Sequence, residues 1–139
     1  MTVTTAEAAV RDLLEEHAAA MREKDADRLA ACHRPGAVVY DLAPPLAGTF
    51  DRERTRAWFA GKAGGSMDYE IRDVEIELAG DLAVAYGLTR MGDGVTFELW
   101  FRSTLVLRET AGRWQIVHAH ESTPFHMDGS LRAAVDLTP

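Results

Sequence analysis

Residues 96–125, TFELWFRSTLVLRETAGRWQIVHAHESTPF, decide the fold. They predict two long strands joined by a tight turn. Phe97 to Leu107 is dense in the aromatic and β-branched residues that strands prefer. The turn falls on Glu109-Thr110-Ala111-Gly112, where Gly112 can take φ > 0 at little cost, and Trp114 to Ser122 returns. Side chains alternate between faces along a strand. Trp100, Arg102 and Thr104 therefore share one face of the first strand, while Phe97, Leu99, Phe101, Leu105 and Leu107 mostly make the other. On the return strand Gln115, Val117, Ala119 and Glu121 share one face, and Trp114, Ile116, His118, His120 and Ser122 the other. Neither face is plainly polar. The sheet is thus packed on both sides, or packed on one side and lining a pocket on the other.

The residues before this hairpin also alternate. Met67 to Ala79 changes phase near Asp73: Tyr69 and Ile71 fall on odd positions, Val74, Ile76 and Leu78 on even ones. That is the mark of a β-bulge, which bends a strand. Gly80-Asp81 and Gly92-Asp93-Gly94 are turns on either side of a strand over Leu82 to Met91.

Upstream the period becomes helical. Thr4-x-x-Glu7 has capping-box spacing, and Val10, Leu13, Leu14, His17, Ala18 and Met21 make one stripe. Asp25 is a good N-cap for a second, short helix with Leu29, Cys32 and His33 inward, ended by Arg34-Pro35-Gly36. Ala37 to Leu42 reads as a short strand and Ala43 to Gly48 as a stiff, proline-rich loop. A third helix over Asp51 to Gly61 puts Thr55, Trp58 and Phe59 inward. Gly61 to Ser66 is the best hinge or lid candidate. The whole chain, residues 1–139, predicts one α+β domain: three helices, then a strongly curved antiparallel sheet.

Composition narrows the function. With 47% hydrophobic and 27% charged residues the chain reads as an ordinary globule. A net charge of −7 without a basic patch argues against nucleic acid and against an anionic membrane. One cysteine, Cys32, leaves no intrachain disulfide or cysteine zinc cluster. No apolar run nears the ~20 residues of a membrane span, and the acidic N-terminus does not read as a signal peptide, so a cytoplasmic location is expected. No phosphate-binding loop or nucleophile elbow is present, and no cofactor is expected.

Asp41 is the sharpest single residue. It is a carboxylate in an apolar strand, AVVYDLAPPL. Buried, it suits a general base near neutral pH; otherwise it caps backbone amides of the proline loop. His17 interrupts an apolar helical stripe, either as a satisfied core histidine or as a donor to an oxyanion. His118, His120 and His126 match no helical zinc spacing, so no metal site is expected. Arg102 and Glu121 either pair across the hairpin or line a cavity. Trp58, Trp100 and Trp114 are core residues or pocket walls.

Two stretches carry a family resemblance. Trp114-Gln115-Ile116-Val117-His118-Ala119-His120-Glu121-Ser122-x-Pro124-Phe125 resembles the closing strand of SnoaL-like proteins of the nuclear-transport-factor-2-like (NTF2-like) superfamily. Tyr40-Asp41-Leu42-Ala43-Pro44-Pro45-Leu46, with the tail from Met127 to Pro139, is similar to a ketosteroid-isomerase-like branch. The resemblance implies a cone, in which the sheet wraps three helices around a pocket for a small, mostly apolar ligand. It implies Asp41 as base and His17 as oxyanion donor. Trp58, Trp100, Arg102, Thr104, Val117 and Glu121 would line the substrate. Isomerase, polyketide-cyclase or hydratase-type chemistry follows, or else a non-catalytic ligand-binding or dimerising scaffold. It also puts His118, His120 and Ser122 on an outer sheet face, where such proteins commonly form homodimers.

Overall fold

The computed structural model describes residues 4–62 and 67–139. Helix α1 spans Thr5–Arg22. The Glu7 N–H donates to Thr4 Oγ1 at 3.0 Å, but the Glu7 carboxylate turns forward to Arg11, also at 3.0 Å. Only half of the capping box forms, because Arg11 lies one turn on and offers the stronger, charged partner. Val10, Leu14, His17, Ala18 and Ala20 are buried along one side. Helix α2 covers Ala26–Ala31 behind its Asp25 cap, and α3 covers Arg52–Ala60 behind Asp51.

The six strands are β1 His33–Tyr40, β2 Gly48–Thr49, β3 Asp68–Ala79, β4 Leu82–Gly92, β5 Glu98–Thr110 and β6 Arg113–Ser122. They form one sheet in the order β2-β1-β6-β5-β4-β3, in which only β1 and β6 run parallel. The segment Arg34-Pro35-Gly36 does not merely end a helix. It lies inside β1, which begins at His33 rather than Ala37, and the register slips across it while Gly36 sits at φ 83°. The proline and the left-handed glycine make an irregularity, not a stop, since Ile116 still reaches back to the Cys32 carbonyl.

Two features bend the sheet into a cone. Asp73 takes φ 56° where the β3–β4 register shifts between Arg72 and Glu75, as the phase change predicts. Opposite it, a Cβ at Gly87 would stand 2.8 Å from the Arg72 carbonyl oxygen, so the bulge closes onto a position that only glycine fits. A second bulge, at Val117, lies between the pairs Val106–His118 and Leu107–Ile116. The last hairpin turns on two residues, Ala111 (φ 53°) and Gly112 (φ 78°), so its strands run longer than the sequence suggests.

The helices fill the concave side. Arg22 at the end of α1 donates to the Tyr69 carbonyl at 3.1 Å, and Met67 N–H donates to the Arg22 carbonyl at 2.9 Å. Val10 and Leu14 pack with Ala85, Leu105, Leu107 and Ile116 at one end of the cone. Ala20, Leu29 and Phe59 pack with Met67 near the other helices. The hinge candidate Gly61–Ser66 has residues 63–66 outside the described residues.

Candidate acid–base site at the mouth of the cone

Partners across the sheet point to the same face, and that rule locates the inner wall. Leu105 pairs with Ala119, and Ser103 with Glu121. Gly87 pairs with Ser103, Thr89 with Phe101, and Ile71 with Thr89. Phe101, Ser103, Leu105, Leu107 and Ala119 are all buried. Four polar side chains interrupt this apolar wall: Tyr69, Thr89, Ser103 and Glu121. Tyr69, Thr89 and Ser103 are 4%, 0% and 5% exposed. The Thr89 and Ser103 hydroxyls share a 2.7 Å hydrogen bond. Beside Ser103 lies a small void of about 10 Å³, room for about one water, bordered by Leu14, Ile71, Gly87 and Leu105.

Helix α1 adds His17 from above. The ring is 7% exposed, and Nδ1 is buried without a hydrogen-bond partner. It lies 5.7 Å from the Tyr69 ring and 5.9 Å from His33, centroid to centroid. His33 is satisfied by contrast: Nδ1 donates to the Leu29 carbonyl at 2.8 Å, and the ring stacks on Phe50 at 4.0 Å. Burial, and secondarily the nearby His33, pushes the His17 pKa down to about 3, so the imidazole is neutral at physiological pH.

Glu121 is the acid the wall encloses. Its carboxyl is surrounded by protein, while part of the residue's surface stays accessible. Burial first, and the charge of Asp41 second, push its pKa up to about 8. The same two carboxylates, after burial itself, push the Tyr69 phenol well above its ordinary value.

Asp41 does not occupy a sheltered position. The parallel pairing of Tyr40 with His120 sets it beside Glu121, but one residue past the end of β1, exposed. Its Oδ1 accepts the Leu42 N–H at 2.6 Å, the loop-capping alternative. The reason is local: the proline loop leaves the sheet at this point and does not fold back over the carboxylate.

The pocket face expected for the first arm of the hairpin is also corrected. Trp100, Arg102 and Thr104 lie on the convex side, opposite Arg90, Leu88 and Tyr86. Arg102 and Thr104 are exposed, and Trp100 stacks under the Arg72 guanidinium at 4.6 Å. Arg102 and Glu121 therefore sit on opposite faces and form no pair. Val117 is the bulge residue rather than a wall residue. Trp58 is 37% exposed on α3, with the Lys62 ammonium 5.1 Å above its ring; Phe59 takes the inward place. Of the expected site residues, His17 lies beside the Tyr69 ring, and the carboxylates of Glu121 and Asp41 act on the Tyr69 phenol, with Asp41 itself exposed. Tyr69, Thr89, Ser103 and His33 are buried polar residues beyond the expected set. The signal for Ser103 and Thr89 was a hydroxyl inside an otherwise apolar inward set.

A larger groove, about 310 Å³, opens at the β4–β5 turn beside Asp68, Val95, Phe97 and Glu98, away from these groups. Among the described residues no three metal-type ligands gather, and no helix is long and apolar enough to cross a membrane.

A curved, unclosed sheet wrapped around three helices defines an NTF2-like α+β cone. The chain belongs to the SnoaL-like family, whose domain model matches residues 10–126. An NTF2-like protein of unknown function from Pseudomonas putida KT2440 is 30% identical over 100% of both chains, with a TM-score of 0.85. A putative ketosteroid isomerase from Shewanella frigidimarina shares 20% identity over 85% of this chain and 98% of its own, at TM-score 0.68. A CamKII hub homology domain from Chlamydomonas reinhardtii shares 19% over 85% and 98%, at 0.67. A comparison with curated proteins returns no match.

Proposed function

We propose that the cone mouth binds a small, mostly apolar carbonyl compound and moves a proton on it, as isomerase- or hydratase-type chemistry requires. The observation that carries this is Glu121, an enclosed carboxyl whose pKa near 8 leaves both protonation states populated around neutral pH. Glu121 in its ionised form takes a proton from the carbon beside the carbonyl. The unpartnered His17 Nδ1, in the tautomer that carries its hydrogen there, donates to the oxygen as charge develops on it. Glu121 then returns the proton to the same or another carbon. Asp41 is the rim charge that helps hold the Glu121 pKa up, in place of the base role the family resemblance implies for it. The Shewanella protein of the same fold is a putative ketosteroid isomerase, a reaction of the same class.

The test is exchange of the α-protons of cyclohexanone into D₂O, followed by NMR. Glu121→Gln is expected to lower the enzymatic rate by about 10²–10⁴-fold, the usual worth of a positioned acid–base group. Undiminished exchange in that variant, or none in the wild type, would favour the non-catalytic scaffold reading.

The convex face supports a homodimer. Tyr40, Tyr86 and Val38 are exposed there, next to Val106, His118 and His120. His118 Nδ1 donates to the Val38 carbonyl at 2.8 Å, and the Tyr40 ring meets His118 and His120 edge-on. On the β3 edge Glu75 and Glu77, and on β5 Arg102, are in no ion pair among the described residues, so two copies facing each other match acidic to basic positions. Sedimentation is expected to give a dimer for the wild type and a monomer for Tyr86→Asp. A monomeric wild type at micromolar concentration would rule this out.

A further inference from the structure

Beyond β6 the chain folds back on itself as a small hairpin. The His126 N–H donates to the Arg132 carbonyl at 2.8 Å, the Ala134 N–H donates to the Pro124 carbonyl at 2.7 Å, and Phe125 bridges to Ala133. His126 Nε2 lies 3.1 Å from the Asp136 carboxylate, and the Asp128 carboxylate accepts the Ser130 N–H at 2.9 Å. These bonds give the tail a defined shape. Its large apolar side chains nevertheless face outward: Met127 is 96% exposed, Leu131 76% and Phe125 59%. Arg132, next to Leu131, is exposed and in no ion pair among the described residues.

The tail and the β4–β5 turn leave the sheet at one rim, since Ser122 at the end of β6 pairs with Arg102 near the start of β5. The groove of about 310 Å³ lies at that turn. Val95, 90% exposed, and Phe97 give it an apolar wall, and Asp68 and Glu98 give it an acidic one. Arg90 approaches Asp68 at 3.6 Å, and the Lys62 ammonium sits 5.5 Å from the centre of the Phe97 ring. Glu98 is exposed and in no ion pair among the described residues. An apolar tip beside an unpaired guanidinium therefore has, on the same chain, a groove of complementary charge and matching apolar character.

We propose that the tail hairpin of one copy docks in the β4–β5 groove of a second copy, with Leu131 against Val95 and Phe97 and the Arg132 guanidinium against Glu98. Tail and groove are different surfaces, so a closed pair makes the contact twice, each copy giving one tail and receiving one. Their place on one rim suits that reciprocity. The contact is separate from the convex face and stands without it.

Disulfide trapping with Leu131→Cys and Val95→Cys tests this, because both sites are exposed and the native Cys32 is buried. The two variants mixed under mild oxidation are expected to form a covalent pair faster than either variant alone. In sedimentation, Leu131→Asp should weaken the dimer by about 10–100-fold, the worth of one apolar side chain returned to water. Glu98→Arg and Arg132→Glu should each weaken it, and the double variant, which again sets opposite charges across the contact, should recover it. Salt should narrow these differences. A monomeric wild type, or a mixture that cross-links no faster than its components, would overturn the proposal. A dimer that survives Leu131→Asp but not Tyr86→Asp would overturn it too and leave the convex-face reading standing. The reverse result would uphold the tail contact and remove the convex face as the interface.

Discussion

Glu121→Gln is expected to stabilise the protein by about 3–5 kcal/mol at pH 9 and to change little at pH 5. The sign follows from the direction of the shift. The carboxyl has an ordinary pKa of 4.5 unfolded and about 8 folded, so the native state holds the proton more tightly. Its favourable contribution is complete below pH 4.5 and is lost as pH rises toward 8. Above that, the native protein carries a desolvated carboxylate beside Asp41. Glutamine keeps the shape of the protonated acid and never ionises, so the alkaline loss disappears. Chemical denaturation at the two pH values measures it. Parallel pH dependence in wild type and variant would mean that the Glu121 carboxyl is solvated after all, and the chemistry proposed for it would fall with it.

Both acids of the candidate site are visible in the sequence, but their relative burial is not. Asp41 stood out because it interrupts an apolar strand, and Glu121 did not, because the final strand already mixes polar and apolar residues on both faces. Alternation alone could not choose a face there. The convex side carries Trp100 and Val106, as apolar as much of the inner wall, since it is itself suited to packing. The Val117 bulge then reverses the phase midway, so Trp114 and Ile116 share the inner face with Ala119 and Glu121 despite opposite parity. The β3 bulge was legible because Val74, Ile76 and Leu78 form a clean set after Asp73; the β6 bulge sits between residues of no clear sidedness. Helix starts were legible from Thr4, Asp25 and Asp51, whose side chains cap the first turn. The solvation of Asp41 depends on where a proline loop travels after leaving the sheet. No local pattern encodes that.

Replacing His17 by phenylalanine is expected to remove much of the protein's sensitivity to acid. The imidazole has an ordinary pKa of 6.5 and a folded value of about 3, so here the unfolded chain binds the proton more tightly. Its favourable contribution is complete above pH 6.5 and is lost as pH falls toward 3, reaching about 3 kcal/mol by pH 4. Its slope opposes that of Glu121. Between pH 4.5 and 6.5 the two nearly cancel, one group costing stability as the other restores it, so these two groups give the wild type a plateau there. Below it the histidine alone acts, and above it the glutamate alone. His17→Phe should therefore tilt the plateau, with stability now falling from pH 4.5 upward, and flatten the acid limb down to the part that buried His33 and the hydrogen-bonded carboxyls held below their ordinary range, Asp93 first among them, contribute. Urea titrations across pH 3.5–9 resolve this shape. An acid limb as steep in His17→Phe as in the wild type would show that the ring is not the buried, proton-averse group the site requires. A neutral His17 could then no longer be the donor that meets the substrate oxygen.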